Sequence, residues 1–206
     1  MSADLARAVA HYRTLASDYD HYTRRINRIR ARAIAALELM PGQTVLDAGC
    51  GTGWCLAPLA QAVGAQGKVI GFDPSPEMLA IARARAGLGP RVELLQTSAE
   101  QVTLSERVDA ILFSYTHDVI RSRAAVENVL RQAKRGARVV ATGTKLYARW
   151  LFPANWYLAY SHREYITNFE GFAAPWTLLA TYLEEFHVRT RPWSQHYVAS
   201  GRVRAS

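Results

Sequence analysis

A short apolar run leads directly into three glycines at alternate positions, and this feature constrains the fold more than any other in the chain. Thr44–Ala48 is predicted to be a strand, Gly49, Gly51 and Gly53 follow it, and Trp54–Val63 is predicted to be a helix. Glycine is needed where the backbone takes a positive φ or approaches a ligand without a Cβ in the way. In an open parallel sheet, ligands bind at the carboxyl ends of strands, over turns of this kind. The alternative is a tight strand-to-helix turn that holds no ligand.

Strands and helices alternate after this turn, as the spacing of the apolar residues indicates. The further predicted strands are Lys68–Phe72, Arg91–Gln96, Asp109–Phe113, Arg138–Thr142, Phe186–Arg191 and His196–Arg202, and the further predicted helices are Pro76–Ala86, Arg123–Lys134 and Ala174–Glu185. This alternation predicts an α/β fold, in which helices cover both faces of a parallel sheet. The last two strands are expected to form an antiparallel hairpin at the edge of the sheet.

The two ends of the chain differ in composition from the middle. Residues 4–40 have apolar positions at helical spacing, and residues 146–172 form an aromatic-rich stretch that we expect to be an inserted, mostly helical segment. Of the 21 aromatic residues, 14 follow residue 146, yet no linker separates them from the rest. We therefore expect a single domain over residues 1–206: N-terminal helices to residue 40, a ligand-binding core at 44–143, the insertion at 144–173 and a final helix and hairpin at 174–206.

The net charge of +8 comes mostly from arginine and includes a cluster between Arg24 and Arg32. Such a cluster is either a solvated basic face or a surface that attracts nucleic acid, anionic lipid or an anionic substrate. The two cysteines, Cys50 and Cys55, flank the glycine turn without a second pair of metal ligands, so reduced thiols are expected. The chain has no apolar run of membrane-spanning length and no signal-peptide core at its start, so a cytoplasmic location is expected.

Asp73 stands at the end of the second predicted strand, 20 residues beyond Gly53. An acidic side chain there can accept hydrogen bonds from ribose hydroxyls, although it would equally suit the start of a helix before Pro74. The glycines are spaced G-x-G-x-G rather than the G-x-G-x-x-G of dinucleotide sites, and no Gly-Lys-Ser/Thr motif for a nucleoside triphosphate is present. The loop therefore favours an adenosine ligand without a pyrophosphate.

Several segments resemble one known family. Asp47–Gly53 resembles motif I of the class I S-adenosylmethionine-dependent methyltransferases, and Gly71–Leu79 resembles the ribose-binding segment that follows it. Thr97–Glu100 aligns with the adenine-contacting stretch, where relatives usually carry Asp-Ala and this chain has Ser98 instead. The stretches at 108–114 and 134–140 resemble motif IV and the turn before strand five. The likeness covers about residues 12–143 and is closest to the ubiquinone/menaquinone-type and related small-molecule methyltransferases.

The resemblance implies a fold and a set of roles. The fold would be a Rossmann-like, doubly wound sheet of seven strands, mostly parallel with an antiparallel last strand, and the cofactor would be S-adenosylmethionine, with S-adenosylhomocysteine as product. Asp47 and the three glycines would hold the methionine part of the cofactor, and Asp73 would bind the ribose. The remaining residues implied to contact the cofactor are Met78, Ser98, Ala99, Glu100 and Ser114.

The residues that would bind the methyl acceptor are predicted from weaker patterns than those that would bind the cofactor. His117 follows strand four and is the candidate general base, because histidine titrates near neutral pH; the alternative is a residue that closes a loop or caps a helix. Tyr19 is a second catalytic candidate and Tyr12 a substrate contact, since relatives close an N-terminal helix over the donor. The inserted segment lies where relatives have a substrate lid. Its aromatic residues Trp150, Trp156 and Tyr157 would contact the acceptor, together with Tyr115.

The predicted acceptor is a small or lipid-like molecule. Nucleic acid is disfavoured because Ser114–His117 replaces the Asn/Asp-Pro-Pro-aromatic sequence that base-amine methyltransferases use. The basic residues near Ile26 and Ile29 are also compatible with peripheral contact with an anionic membrane. Two alternatives stay open: a protein that binds S-adenosylmethionine without transferring methyl, and a nicotinamide oxidoreductase, which would need a pyrophosphate-binding loop.

Overall fold

A seven-stranded sheet forms the centre of the molecule. The computed structural model describes residues 24–85, 89, 91–151, 154–156 and 171–204. The strands are β1 (Thr44–Ala48), β2 (Lys68–Asp73), β3 (Val92–Gln96), β4 (Val108–Ser114), β5 (Ala133–Thr144), β6 (Leu183–Thr190) and β7 (His196–Val203). Their order is β3-β2-β1-β4-β5-β7-β6. The first five strands are parallel, and β7 runs antiparallel to both β5 and β6. The predicted fold class is therefore confirmed.

Short helices connect the strands. They are α1 (Asn27–Ala36), α2 (Leu56–Val63), α3 (Pro76–Ala84), α4 (His117–Arg121), α5 (Arg123–Arg131) and α6 (Thr177–Ala180), with 3₁₀ turns at Arg24–Ile26 and Arg149–Leu151. Ser75 and Ser122 begin α3 and α5 by accepting hydrogen bonds from the amides of Met78 and Ala125. These caps satisfy amides that the first helical turn leaves without a partner.

Both faces of the sheet are covered, because successive side chains of a strand point to opposite faces. On one face α1, α2 and α3 pack against Val45, Val69 and Leu112. On the other face α4, α5 and α6 pack against Leu46 and Ile111. A strand buried on both faces has few polar residues, which is why β1 and β4 appear in the sequence as continuous apolar runs rather than alternating ones.

The structure corrects several predicted boundaries. The predicted helix Ala174–Glu185 is wrong over most of its length: α6 is a single turn, and β6 begins at Leu183. The apolar spacing there fits a helix, but Leu183 pairs with Val203 of β7, and strand pairing prevails. β5 extends to Thr144 because β7 supplies an antiparallel partner along its whole carboxyl-terminal half. The single-turn helix α4 was not predicted.

Within the described residues, no helix is long and apolar enough to cross a membrane.

Candidate functional site

The carboxyl ends of β1, β2 and β4 lie level with one another and form the floor of the candidate site. Ala48 pairs with Phe72 on one side and with Phe113 on the other. Beyond these ends, a cavity opens between the glycine loop and α1. Its lining brings together Asp47, Gly49, Gly51 and Ser114, which the sequence predicted, with Arg30, Cys50, Thr52, Trp54 and Cys55, which it did not.

Two of the loop glycines differ in what surrounds them. Gly49 has φ +75°, and a Cβ on it would clash with Cγ2 of Thr116, so the turn packs directly against the segment after β4. Gly51 has φ +53°, and a Cβ there would meet nothing within 4 Å. The backbone at Gly51 is therefore open to the approach of a ligand. Gly53, by contrast, lets the loop pack against Leu56 and Ala82.

Asp73 clamps the loop from the end of β2. Its Oδ2 accepts a hydrogen bond from the amide of Gly51 at 3.0 Å, and its Oδ1 accepts one from the amide of Ser75 at 2.9 Å. Burial raises the pKa of this carboxyl, and the two amides act in the opposite direction. Because each carboxylate oxygen can accept two hydrogen bonds, both oxygens retain capacity for ligand hydroxyls.

Asp47 is the most unusual polar group in the described structure. Its side chain is 1% exposed, and within the described residues neither carboxylate oxygen has a hydrogen-bond partner. Burial raises the pKa of Asp47 to about 7, while the nearby charge of Arg30 lowers it and that of Asp73 raises it. An ionised carboxylate that is buried without hydrogen-bond donors lowers the stability of the fold. Such a group beside a cavity is typical of a binding site, in which a ligand supplies the missing donors.

Arg30 is the main residue that sequence reasoning missed. It lies on α1, is 5% exposed and places its guanidinium 5.6 Å from the ring centre of Trp54 and 5.7 Å from that of Tyr115. A signal was present: position 30 follows Ile26 by four residues and precedes Ala33 by three, which puts it on the buried face of the helix. Because Arg30 stands among other arginines in the sequence, its position on the buried face of the helix was not recognised.

The predicted adenine-side residues lie around the ends of β2 and β3. Met78, Ser98 and Ala99 are buried, whereas Glu100 is exposed and accepts a hydrogen bond from Ser122 at 3.4 Å. Asn128 fixes their loop by donating to the carbonyls at 99 and 102. None of the four lines the described cavity, so their contact with the cofactor stays a prediction.

His117 and Tyr115 follow β4, as the sequence indicated. His117 is the first residue of α4; its ring packs 5.0 Å from that of Phe172, and its Nε2 accepts a long 3.4 Å hydrogen bond from the amide of Thr144. Tyr115 has φ +61°, a strained value for a large side chain, and its hydroxyl lies 3.1 Å from Nδ1 of His196. His196 was not predicted, because it lies 81 residues away in sequence and only the β5–β7 pairing brings it here.

The remaining predicted acceptor contacts differ in whether the structure describes them. Trp150 and Trp156 are 69% and 75% exposed and do not line the cavity beside Asp47. Tyr12, Tyr19 and Tyr157 lie outside the described residues. Their roles therefore stay predictions.

The two cysteines of the loop are free and buried, as expected for reduced thiols. Burial is the main cause that raises the pKa of both, so neither is poised as a thiolate nucleophile.

These features define the class of protein: a doubly wound α/β protein whose glycine loop, buried carboxylate and strand-end Asp73 lie together at a candidate ligand site on the carboxyl edge of the sheet. Residues 45–138 match a family described as methyltransferase domain. A 2-phytyl-1,4-naphthoquinone methyltransferase of Thermosynechococcus vestitus is 37% identical over 108 residues, which cover 52% of this chain and 48% of that protein.

Solved structures show the same fold. An S-adenosylmethionine-dependent methyltransferase of Thermotoga maritima superposes with a TM-score of 0.68 at 19% identity, covering 95% of this chain and 99% of that one. The N-methyltransferase NodS of Bradyrhizobium japonicum, in complex with S-adenosylhomocysteine, has a TM-score of 0.60 at 18% identity, covering 85% of this chain and 86% of that one. The chain is therefore similar to methyltransferases over residues 45–138, a little under half of its length, and it shares its fold with the solved structures. It spans 30% to 56% of the length of the first curated relatives that it matches.

Proposed function

We propose that this protein transfers a methyl group from S-adenosylmethionine to a small or lipid-like acceptor. The observation that carries the proposal is the buried carboxylate of Asp47, which has no hydrogen-bond donor within the described residues and lines the cavity beside the glycine loop. An ammonium group is the ligand that such a carboxylate needs, and the methionine part of the cofactor supplies one.

The other charges of the site fit the same cofactor. Arg30 and Asp47 both line the cavity. The guanidinium of Arg30 would pair with the carboxylate of an amino acid, and the carboxylate of Asp47 would pair with its ammonium group. Asp73 would accept the ribose hydroxyls while it holds the loop through the Gly51 amide. The open space beside Gly51 would admit the ligand backbone.

The cofactor, when bound, would supply a methyl group on a positively charged sulfur: a nucleophilic atom of the acceptor would bond to the methyl carbon, the carbon–sulfur bond would break, and S-adenosylhomocysteine would leave. The residues of the chain then need mainly to orient the acceptor and to exclude water. Ser114 and Tyr115, at the end of β4, would face this reaction, and His117 would act as base only for an acceptor that must lose a proton. The name of the Thermosynechococcus relative supports a quinone-type acceptor. Peripheral contact with a membrane, through the exposed arginines near Ile26 and Ile29, fits such an acceptor.

Calorimetric titration with S-adenosylmethionine and S-adenosylhomocysteine tests the proposed site. We expect both to bind the wild type, and Asp73→Asn and Asp47→Asn each to weaken binding about tenfold or more. Asp109→Asn is the matched control, because Asp109 accepts hydrogen bonds from Thr44 and Lys134 at the opposite end of β4. A folded wild type that binds neither ligand would contradict the proposal.

Transfer is tested separately with a methyl-labelled donor and a naphthoquinol acceptor, followed by a wider set of small hydroxyl and amine acceptors. Label in an organic-soluble product is the expected result. Binding without label in any acceptor would favour the alternative, a protein that binds the cofactor without transferring methyl.

A further inference from the structure

A second and larger groove lies beside the proposed cofactor site, on the α1 face of the last two strands. Tyr197 and Ala199 belong to the core on the opposite face, so Val198 and Ser200, which alternate with them, point to the α1 face and line the groove. Ile29 and Arg32 of α1 form the facing wall. The groove has a volume of about 980 Å³, the upper end of the range for small-molecule sites.

The groove carries positive charge that the described residues do not neutralise. Arg138 is held by Glu38 and by the carbonyl of Ala36. Arg32, Arg189 and Arg191 are exposed and, within the described residues, have no carboxylate within ion-pair distance. Guanidinium groups pair well with carboxylate and phosphate, so the groove favours an oxyanion.

The groove also has an apolar part. Trp193, which is 64% exposed, lines it together with the half-buried side chains of Ile29, Tyr147 and Val198. An exposed Trp beside aliphatic side chains is suited to a hydrophobic or aromatic ligand body. A ligand that satisfies both parts has an apolar body and an anionic group.

One end of this groove is connected to the cofactor site through three side chains. His196 lines the groove, and its Nδ1 lies 3.1 Å from the hydroxyl of Tyr115. The ring of Tyr115 lies in turn below the guanidinium of Arg30, which lines the cavity beside Asp47. A molecule that fills the groove would therefore end beside the place where the methyl group is proposed to react.

We infer that the groove between α1 and the β6–β7 hairpin binds the methyl acceptor, and that this acceptor is an apolar molecule bearing a carboxylate or phosphate group. Arg189 and Arg191 hold the oxyanion, Trp193 and its apolar neighbours hold the body, and the end that receives the methyl group lies at His196 and Tyr115. This inference rests on the proposed function.

Single-chain amphiphiles below their critical micelle concentrations test the site by calorimetry. We expect decyl phosphate and decanoate each to bind at least about tenfold more tightly than decyltrimethylammonium, which has the same tail and the opposite charge. The tighter of the two anions identifies the oxyanion as phosphate or carboxylate. Equal affinity for all three amphiphiles overturns the inference, and so does binding to phosphatidylglycerol vesicles with no binding of the monomeric anions, which would identify a membrane surface instead.

The arginines are tested with charge-matched double variants. Arg189→Gln/Arg191→Gln is expected to weaken binding of both anions about fivefold or more, while Arg83→Gln/Arg131→Gln, which changes exposed arginines of α3 and α5, leaves it unchanged. Equal weakening in both pairs overturns the assignment. S-adenosylhomocysteine binding is measured on the same proteins. A wild type that binds S-adenosylhomocysteine but neither anion refutes the groove alone, whereas a wild type that binds the anions but not S-adenosylhomocysteine refutes the proposed function.

The position of the reacting end is tested by NMR of histidine-labelled protein. The imidazole signals of His196, assigned with His196→Gln, are expected to shift when decyl phosphate is added. Unchanged signals at saturating decyl phosphate overturn the inferred contact with His196.

Discussion

At the scale of single residues, the burial of Asp47 makes the stability of the fold depend on pH. Its pKa is about 7 in the folded protein and about 4 in an unfolded chain, so between these values the folded state binds more protons. Stability contributed by this group therefore falls as the pH rises from about 4 to 7 and is constant above that.

The Asp47→Asn variant removes this titration without changing the shape of the side chain. We expect it to be more stable than the wild type at pH 8, by an amount on the order of 1–3 kcal/mol, with the difference shrinking toward pH 5. Urea denaturation at several pH values measures this; Asp73, whose pKa is also raised, is common to both proteins. A difference that does not vary with pH would show that Asp47 titrates normally.

A pair of alanine substitutions separates the structural role of the loop from its binding role. Gly49→Ala places a methyl group against Thr116 at a positive φ, so we expect a loss of about 2–4 kcal/mol of stability. In Gly51→Ala the new methyl group lies in open space, so only the positive φ destabilises the fold, by about 1–2 kcal/mol. The same methyl group would obstruct the approach of a ligand to the loop.

Thermal denaturation and titration with S-adenosylhomocysteine distinguish the two variants. We expect Gly51→Ala to fold and to bind poorly, and Gly49→Ala to lose the larger share of its stability. Normal binding by Gly51→Ala would mean that the ligand does not pass this residue.

At the scale of elements, helix α1 contributes a charge to a site otherwise built from strand ends. Arg30 lowers the pKa of Asp47, so Arg30→Met should raise that pKa above about 7. Binding of S-adenosylhomocysteine to the wild type should weaken as the pH falls through 7, because protonated Asp47 no longer pairs with an ammonium group. In Arg30→Met this midpoint should move to higher pH and the affinity at pH 8 should fall about tenfold.

Calorimetry between pH 6 and 8.5 measures both effects. The control is Arg28→Met, which changes an exposed arginine of the same helix. If the control moves the midpoint as far as Arg30→Met does, the effect comes from the net charge of the helix and not from the buried guanidinium.

At the scale of the whole molecule, the strand order predicts which amides exchange slowly with solvent. β1, β2, β4, β5 and β7 each lie between two strands, whereas β3 and β6 are at the edges. Amides with hydrogen-bonded neighbours on both sides in a packed core open only with the largest free energies. Hydrogen-exchange mass spectrometry should therefore find β7 protected like β4, and β6 exchanging early, although β7 is the last strand in sequence. Exchange of β7 as fast as β6 would contradict the observed order.

Local patterns were enough to predict most elements of this fold. The apolar runs of β1 and β4 and the glycine loop act through neighbours in sequence, so their structure could be predicted without the tertiary fold. The stretch at 174–185 could not, because its apolar spacing suits a helix and only the pairing of Leu183 with Val203 makes it a strand.

The sequence by itself determined the α/β class and the positions of Asp47 and Asp73 at the ends of their strands, because a glycine loop between a buried strand and a helix depends on local backbone geometry. The tertiary structure alone decided that Arg30 lines the cavity beside Asp47, that His196 contacts Tyr115, and that an arginine-lined groove lies beside them. These residues come from α1, β4 and β7, which are far apart in the chain. Their proximity follows from the insertion of β7 between β5 and β6 and from the packing of α1 against the sheet. Neither arrangement can be recognised from the spacing of residues within one segment of the sequence.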